Sequence, residues 1–168
     1  MPMMHEIYRP VAMLALEGGG GATSDYVKVS HANWITIVIT EDNLSGAGTA
    51  HTWSVTAATA EAGTNTAVMT TGVRVWSETA IPAGTLVDTL AEATVTSGLF
   101  NADVTASTWS VHFIEIDPAA LGLNATDGLQ NDWIALVQSV DSDATNAHAV
   151  VYIDQKYKEA LGGPTAVA

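Results

Sequence analysis

The stretch Asn33-Trp34-Ile35-Thr36-Ile37-Val38-Ile39-Thr40 is β-branched at almost every position. Branching at Cβ stiffens the side chain, disfavours a helix and suits a pleated surface. A run of this kind is a central strand, and its nearly continuous apolar character predicts cover on both faces. His51-Thr52-Trp53-Ser54-Val55-Thr56-Ala57 alternates instead. Trp53, Val55 and Ala57 share one face and Thr52, Ser54 and Thr56 the other, the pattern of a half-buried sheet.

Further strands are expected at 25–30, 73–77, 86–96, 108–116, 132–138 and 147–155. Turn chemistry separates them. Asn43, Gly46 and Gly48 punctuate a loop over 41–50, and Gly63 and Asn65 another over 61–66. Asp117-Pro118 stops the strand before it and presets one short helical turn, with Asp117 as its cap. Seven to nine short strands with little helix predict an all-β fold, an antiparallel β-sandwich or a jelly-roll-like barrel. There is no fixed-period repeat, which excludes a solenoid or propeller.

The expected domain organisation is an extended N-terminal arm and glycine hinge over 1–21, a β-sandwich domain over 22–157, and a C-terminal tail over 158–168. The head segment 1–17 shows no steady period of two or 3.6. It is followed by Gly18-Gly19-Gly20-Gly21, which costs much backbone entropy to order and reads as a hinge. Ala22-Thr23-Ser24 follows the glycines, where a phosphate loop needs Gly-Lys-Ser/Thr.

The 168 residues carry a formal charge of −13, and from 29 to 155 the single basic residue is Arg74. Nucleic-acid affinity comes from Lys and Arg displacing counterions, so no nucleic-acid partner is expected. Cysteine is absent, which removes disulfides, thiol catalysis and Cys-based zinc sites. Glu6, Arg9 and Pro10 interrupt any signal-like apolar core, and no apolar run reaches the length of a membrane span, so no membrane partner is expected.

Few residues suggest chemistry. The histidines are His5, His31, His51, His112 and His148, with no two spaced as a metal pair. His112 and His148 lie on strands and read as half-exposed strand residues. Asp141-Ser142-Asp143 resembles the start of a calcium loop, but Asn146 stands where the glycine belongs and Tyr152 where the closing Glu belongs, so it reads as an acidic turn. Glu115 and Asp117 would share a strand face, as a chance pair among 18 acids. The expected catalytic, cofactor-binding and metal residues are therefore none, and no cofactor is expected. Trp34, Trp53, Trp76, Trp109 and Trp133 are expected to fill the core or a subunit interface, because a buried indole removes ~150–250 Å² from water. The alternative is an aromatic platform for sugars, which requires some of them exposed.

Three stretches carry a family resemblance: 33–39, 52–63 leading to Val73-Arg74-Val75-Trp76, and the ending Val150-Val151-Tyr152-Ile153-Asp154-Gln155-Lys156-Tyr157. In order and texture they resemble small structural proteins of tailed bacteriophages, over about residues 24–157. The resemblance implies no catalytic or binding residue. It implies a non-enzymatic virion protein, assembled in a bacterial cytoplasm, acting as a capsid decoration or cement protein outside the major capsid lattice. The implied partners are the major capsid protein and copies of itself, as a homotrimer or other cyclic oligomer clasped by 1–17 and 156–168. The alternatives are a carbohydrate-binding β-sandwich module and a tail- or connector-associated virion protein.

Overall fold

The computed structural model describes residues 8–16, 21–43, 51–82, 89–102, 108–139 and 145–155. Eleven strands and one 3-10 turn are found there: β1 (Tyr8–Leu16), β2 (Val27–Lys28), β3 (Ala32–Asn43), β4 (Thr52–Ala58), β5 (Ala67–Val68), β6 (Val73–Pro82), β7 (Ala91–Ala93), β8 (Leu99–Asn101), β9 (Thr108–Ile116), the turn Pro118–Ala120, β10 (Trp133–Gln138) and β11 (Thr145–Gln155). They form a sandwich of two antiparallel sheets. One has six strands in the order β1-β11-β3-β9-β6-β7; the other runs β2-β10-β4-β5, with β8 also paired to β4. No helix among the described residues is long and apolar enough to cross a membrane.

The core is the space between the sheets. From the large sheet it takes Ile35, Ile37 and Ile39 of β3, Ile114 and Ile116 of β9, Val75 of β6, and Val151 and Ile153 of β11. From the small sheet it takes Trp53 and Val55 of β4 and Ile134 and Leu136 of β10. The side-chain period of two puts each set on one face.

Four expectations are corrected. The central run β3 is covered on one face only: Ile35, Ile37 and Ile39 are buried, while Trp34 is exposed and Thr36, Val38 and Thr40 are half-buried. Its composition expresses strand propensity and the company of apolar neighbours in the sheet, without a second layer above it. β3 also continues through 41–43, so Glu41 lies in the strand and not in a loop. Residues 8–16, expected within a separate arm, are the strand β1, paired antiparallel with β11 from Tyr8↔Asp154 to Leu16↔Ala147. A register shift between Ala12 and Leu14 breaks the alternation, which hid the strand; Val11 and Met13, two residues apart, enter the core together. The strand expected over 86–96 shrinks to β7, with 83–88 outside the described residues.

The loop chemistry around Pro118 matches expectation. Asp117 accepts a hydrogen bond from the Ala119 amide at 2.9 Å and Pro118 opens the turn. Gly72 makes this corner possible. Its φ is +71°, and a Cβ there would overlap the Ala120 Cβ.

Candidate functional site

A carboxylate is buried between the two sheets, near the end of β3. Glu41 belongs to the inward-facing set of β3 and is 1% exposed. Its Oε1 accepts from the Trp53 indole N–H of the opposite sheet and from His51 Nε2 at 2.9 Å. Its Oε2 accepts from Ser110 Oγ at 3.2 Å and from His112 Nε2 at 3.3 Å. His112 turns its other nitrogen, Nδ1, to Ser77 Oγ at 2.8 Å. With Nε2 donating to Glu41, a neutral imidazole accepts the Ser77 hydroxyl proton at Nδ1.

Burial alone would push the Glu41 carboxyl up. The hydrogen bonds from His112 and His51, and the nearness of both rings, outweigh it and hold the group at about 2, against an ordinary 4.5. The carboxylate is thus a fixed anion with four donors. Ser77, His112 and Glu41 stand in the order of a nucleophile, base and orienting acid, but Glu41 and His112 are sealed inside the core with no side-chain exposure. The arrangement ties β3, β6 and β9 of one sheet to β4 of the other, and that strut is what it does. Beside it, Gln138 faces Trp53 across the β4–β10 pair and buries an amide whose nitrogen and oxygen have no hydrogen-bond partner.

His112, expected half-exposed on its strand, is fully buried, because it alternates onto the inner face with Ser110 and Ile114. His148 sits opposite Thr40 on the outer face and is exposed, so the two histidines lie on opposite sides of the sheet. Glu115 accepts from the Trp76 indole N–H at 3.3 Å on the outer face, while Asp117 serves as the turn cap. Residues 141–143 lie outside the described residues. Among the described residues, no group of three His, Cys, Asp or Glu side chains is placed to hold a metal ion. Sequence reasoning missed Glu41 because it read 41–50 as a loop. The available signal was position: Glu41 continues the inward phase of Ile35, Ile37 and Ile39.

The five tryptophans do not share one environment. Trp53 is wholly buried. Trp34 and Trp109 are 40% and 49% exposed, so neither fills the core, the first half of the expected core or subunit-interface role. Trp76 and Trp133 are half-buried. Register puts Trp34, Trp76, Trp109, Phe113 and Tyr152 together on the outer face of the six-stranded sheet. Trp76 and Phe113 pair directly, Phe113 pairs with Val38, Tyr152 with Thr36, and Trp109 with Asp42. Eight residues of β3 separate the Trp34 and Trp109 levels, ~27 Å along the sheet. Arg74 lies over the Trp76 ring at 5.6 Å and 3.5 Å from Glu92.

A second surface lies at the end of the sandwich where β1 starts and β11 finishes. Tyr8 pairs with Asp154, so the start of β1 and the finish of β11 lie side by side at this end. The connection from Leu121 to Asp132 also lies here, because β9 ends and β10 begins at this end. It is held by many bonds. The Asn124 amide donates to the Leu129 carbonyl at 2.8 Å, and the Leu129 amide to Asp127 Oδ1 at 2.9 Å. Asp127 Oδ2 accepts from Asn65 at 2.6 Å and Thr59 at 3.1 Å. The Leu129 amide, and then the Asn65 side chain, hold the Asp127 carboxyl below its ordinary range. On this scaffold Leu123 and Leu129 point outward, 69% and 59% exposed. Next to it is an open cavity of about 450 Å³, lined by Val29 to Ala32, Pro118, Ala119, Leu121 and Gln130 to Asp132.

No family model matches the chain, and no curated protein matches it. Among solved structures it is similar to the crystal structure of a non-crystalline cellulose specific carbohydrate-binding module, CBM28, at 12% sequence identity over 85% of this chain and 72% of that chain. The TM-score is 0.35, too low for that likeness to carry an argument.

Proposed function

We propose that the chain is a non-enzymatic structural protein of a tailed-phage virion, a capsid decoration or cement protein that binds the major capsid protein and copies of itself. The observation that carries this reading is the exposed apolar pair Leu123 and Leu129 at the end of the sandwich where β1 starts and β11 finishes. Two leucines more than half exposed on a loop locked by hydrogen bonds form a preordered apolar contact, which binds without a further ordering cost. The resemblance to phage structural proteins falls largely on β3, β4, β6 and β11, the frame of the sandwich. Copies placed around a symmetric lattice site add by avidity what each contact lacks. Cryo-electron microscopy of particles from the phage encoding this chain tests the reading. Density for the sandwich on the outer capsid surface, with this end inward, is expected; its absence from the particle defeats the proposal, and a place on the tail or connector defeats the decoration role.

A second reading, a carbohydrate-binding sandwich, is favoured by one observation: three of the five tryptophans lie on the open face of the six-stranded sheet, and Trp34 and Trp109 are exposed there. Affinity electrophoresis in gels containing hydroxyethylcellulose, xylan or mannan tests it. Retardation abolished by Trp34→Ala with Trp109→Ala supports it, and unretarded migration in all three gels counts against it.

A further inference from the structure

We infer that the open face of the six-stranded sheet docks a basic, extended polypeptide segment, whose arginine side chains seat at Trp34–Asp154 and Trp109–Asp42. The first observation is one of register. Each tryptophan on this face is the direct cross-strand partner of a carboxylate: Trp34 of Asp154, Trp109 of Asp42 and Trp76 of Glu92. Such partners point to the same side with Cβ atoms ~4.5–5.5 Å apart, so each indole stands beside an acid. In the other sheet, Trp53 pairs with Gln138 and Phe100, and Trp133 with Ala58 and Lys28.

The fold itself displays what such a pair takes. At Trp76–Glu92 the place is filled from within. The Arg74 guanidinium lies over the indole at 5.6 Å, and its Nε stands 3.5 Å from Glu92 Oε1. A planar cation suits both partners at once, since a ring face attracts positive charge and a carboxylate accepts its N–H groups. Among the described residues the other two pairs meet no cation. Asp154 accepts from the Asn33 side-chain amide at 3.5 Å and Asp42 from that of Asn146 at 3.0 Å, while Trp34 and Trp109 stand open beside them.

Spacing and charge define the occupant. The two open pairs lie ~27 Å apart along the sheet, about eight residues of extended chain. Between their levels Val38, Phe113 and Val150 form a half-buried apolar floor. A segment with arginines eight positions apart and uncharged residues between them meets both pairs. One exposed ring contact with one surface ion pair binds weakly, but two on a single segment combine through effective concentration. A second copy of this chain is a poor source, with five Lys and Arg against 18 acids, so the partner is a different, basic protein. Docking of this kind is independent of the virion reading, whose contact is at Leu123 and Leu129. It differs from a neutral sugar platform in needing the charge of Asp42 and Asp154.

Fluorescence anisotropy in low-salt buffer with a labelled peptide, Arg-Ser-Val-Ser-Val-Ser-Val-Ser-Arg, is the test. Binding is expected. Replacing both arginines by citrulline, which keeps the planar group and removes its charge, is expected to weaken it at least tenfold. Trp34→Ala with Trp109→Ala leaves the protein's charge unchanged and is expected to weaken binding as much, as is Asp42→Asn with Asp154→Asn. Asp25→Asn with Glu61→Gln, an equal loss of charge at exposed positions elsewhere, is expected to bind within twofold of the parent. Absence of binding, equal binding of the citrulline peptide, undiminished binding by either paired variant, or an equal loss in the Asp25 and Glu61 control overturns the inference. Tighter binding of a chitosan oligosaccharide than of the arginine peptide also overturns it, by making the cationic partner a sugar. The citrulline comparison uses the unaltered protein, so it decides even where a variant fails to fold. Failure would leave the virion reading standing, since none of these measurements involves a particle.

Discussion

At the scale of single residues, Glu41 decides most. A carboxylate held at about 2 in the fold and near 4.5 when unfolded contributes stability that is complete above pH 4.5 and lost as the pH falls toward 2. The folded state binds the proton less readily, so acid favours unfolding; the size of the effect is about 3 kcal/mol. Urea titrations at pH 7, 4 and 3 are expected to show the loss, and Glu41→Gln is expected to flatten it. The same substitution sets an amide N–H₂ against donors from Trp53, His51, Ser110 and His112, and a cost of about 3 kcal/mol at pH 7 is expected by chemical denaturation. The tryptophans give a second residue-scale prediction. Acrylamide is expected to quench the Trp34 and Trp109 emission and to spare Trp53, so that single-Trp variants retaining only position 53 show the lowest quenching constant.

At the scale of elements, β1 belongs to the sandwich. Val11 and Met13 lie in the core, and eight of the nine strand residues pair with β11. Deletion of residues 1–7 is expected to leave the thermal midpoint nearly unchanged, whereas deletion of 1–16 exposes the β11 edge, removes two buried side chains and is expected to cost several kcal/mol. Circular dichroism melts of the two truncations distinguish these outcomes. The corner at Gly72 is the other sensitive element. Gly72→Ala meets the Ala120 Cβ and must hold a positive φ, so a loss of about 1–3 kcal/mol is expected in the same melts. The alternating strand β4 was legible because period two is written in neighbouring residues. β1 was not, because a bulge erases the period locally and only the partner strand restores the pairing. β5 and β8, two and three residues long, carry too few positions to show any period at all.

At the scale of the whole molecule, the two proposed readings use different surfaces: the end that carries Leu123 and Leu129, and the open face of the six-stranded sheet. Leu123→Asp with Leu129→Asp places charge on the exposed tip without touching the core. It is expected to leave the melting temperature within a few degrees and, on the virion reading, to lower binding to capsids at least tenfold in a co-sedimentation assay. Undiminished co-sedimentation would move the contact elsewhere on the protein. Light scattering of the free protein tests self-association, with a small cyclic oligomer as the expected outcome.

The local pattern of the sequence was enough to determine an all-β chain, the places of its long strands other than β1, the Asp117–Pro118 turn and a strong negative charge. These depend on backbone stiffness, alternation and charge, which are properties of neighbouring residues. Which face of β3 is covered, that Glu41 lies buried between the sheets and Trp34 and Trp109 lie outside, and that β1 starts and β11 finishes at the end that carries the 121–132 connection were decided only by the tertiary structure. Burial of a strand face depends on whether a second layer meets it, and that layer comes from residues far away in the chain.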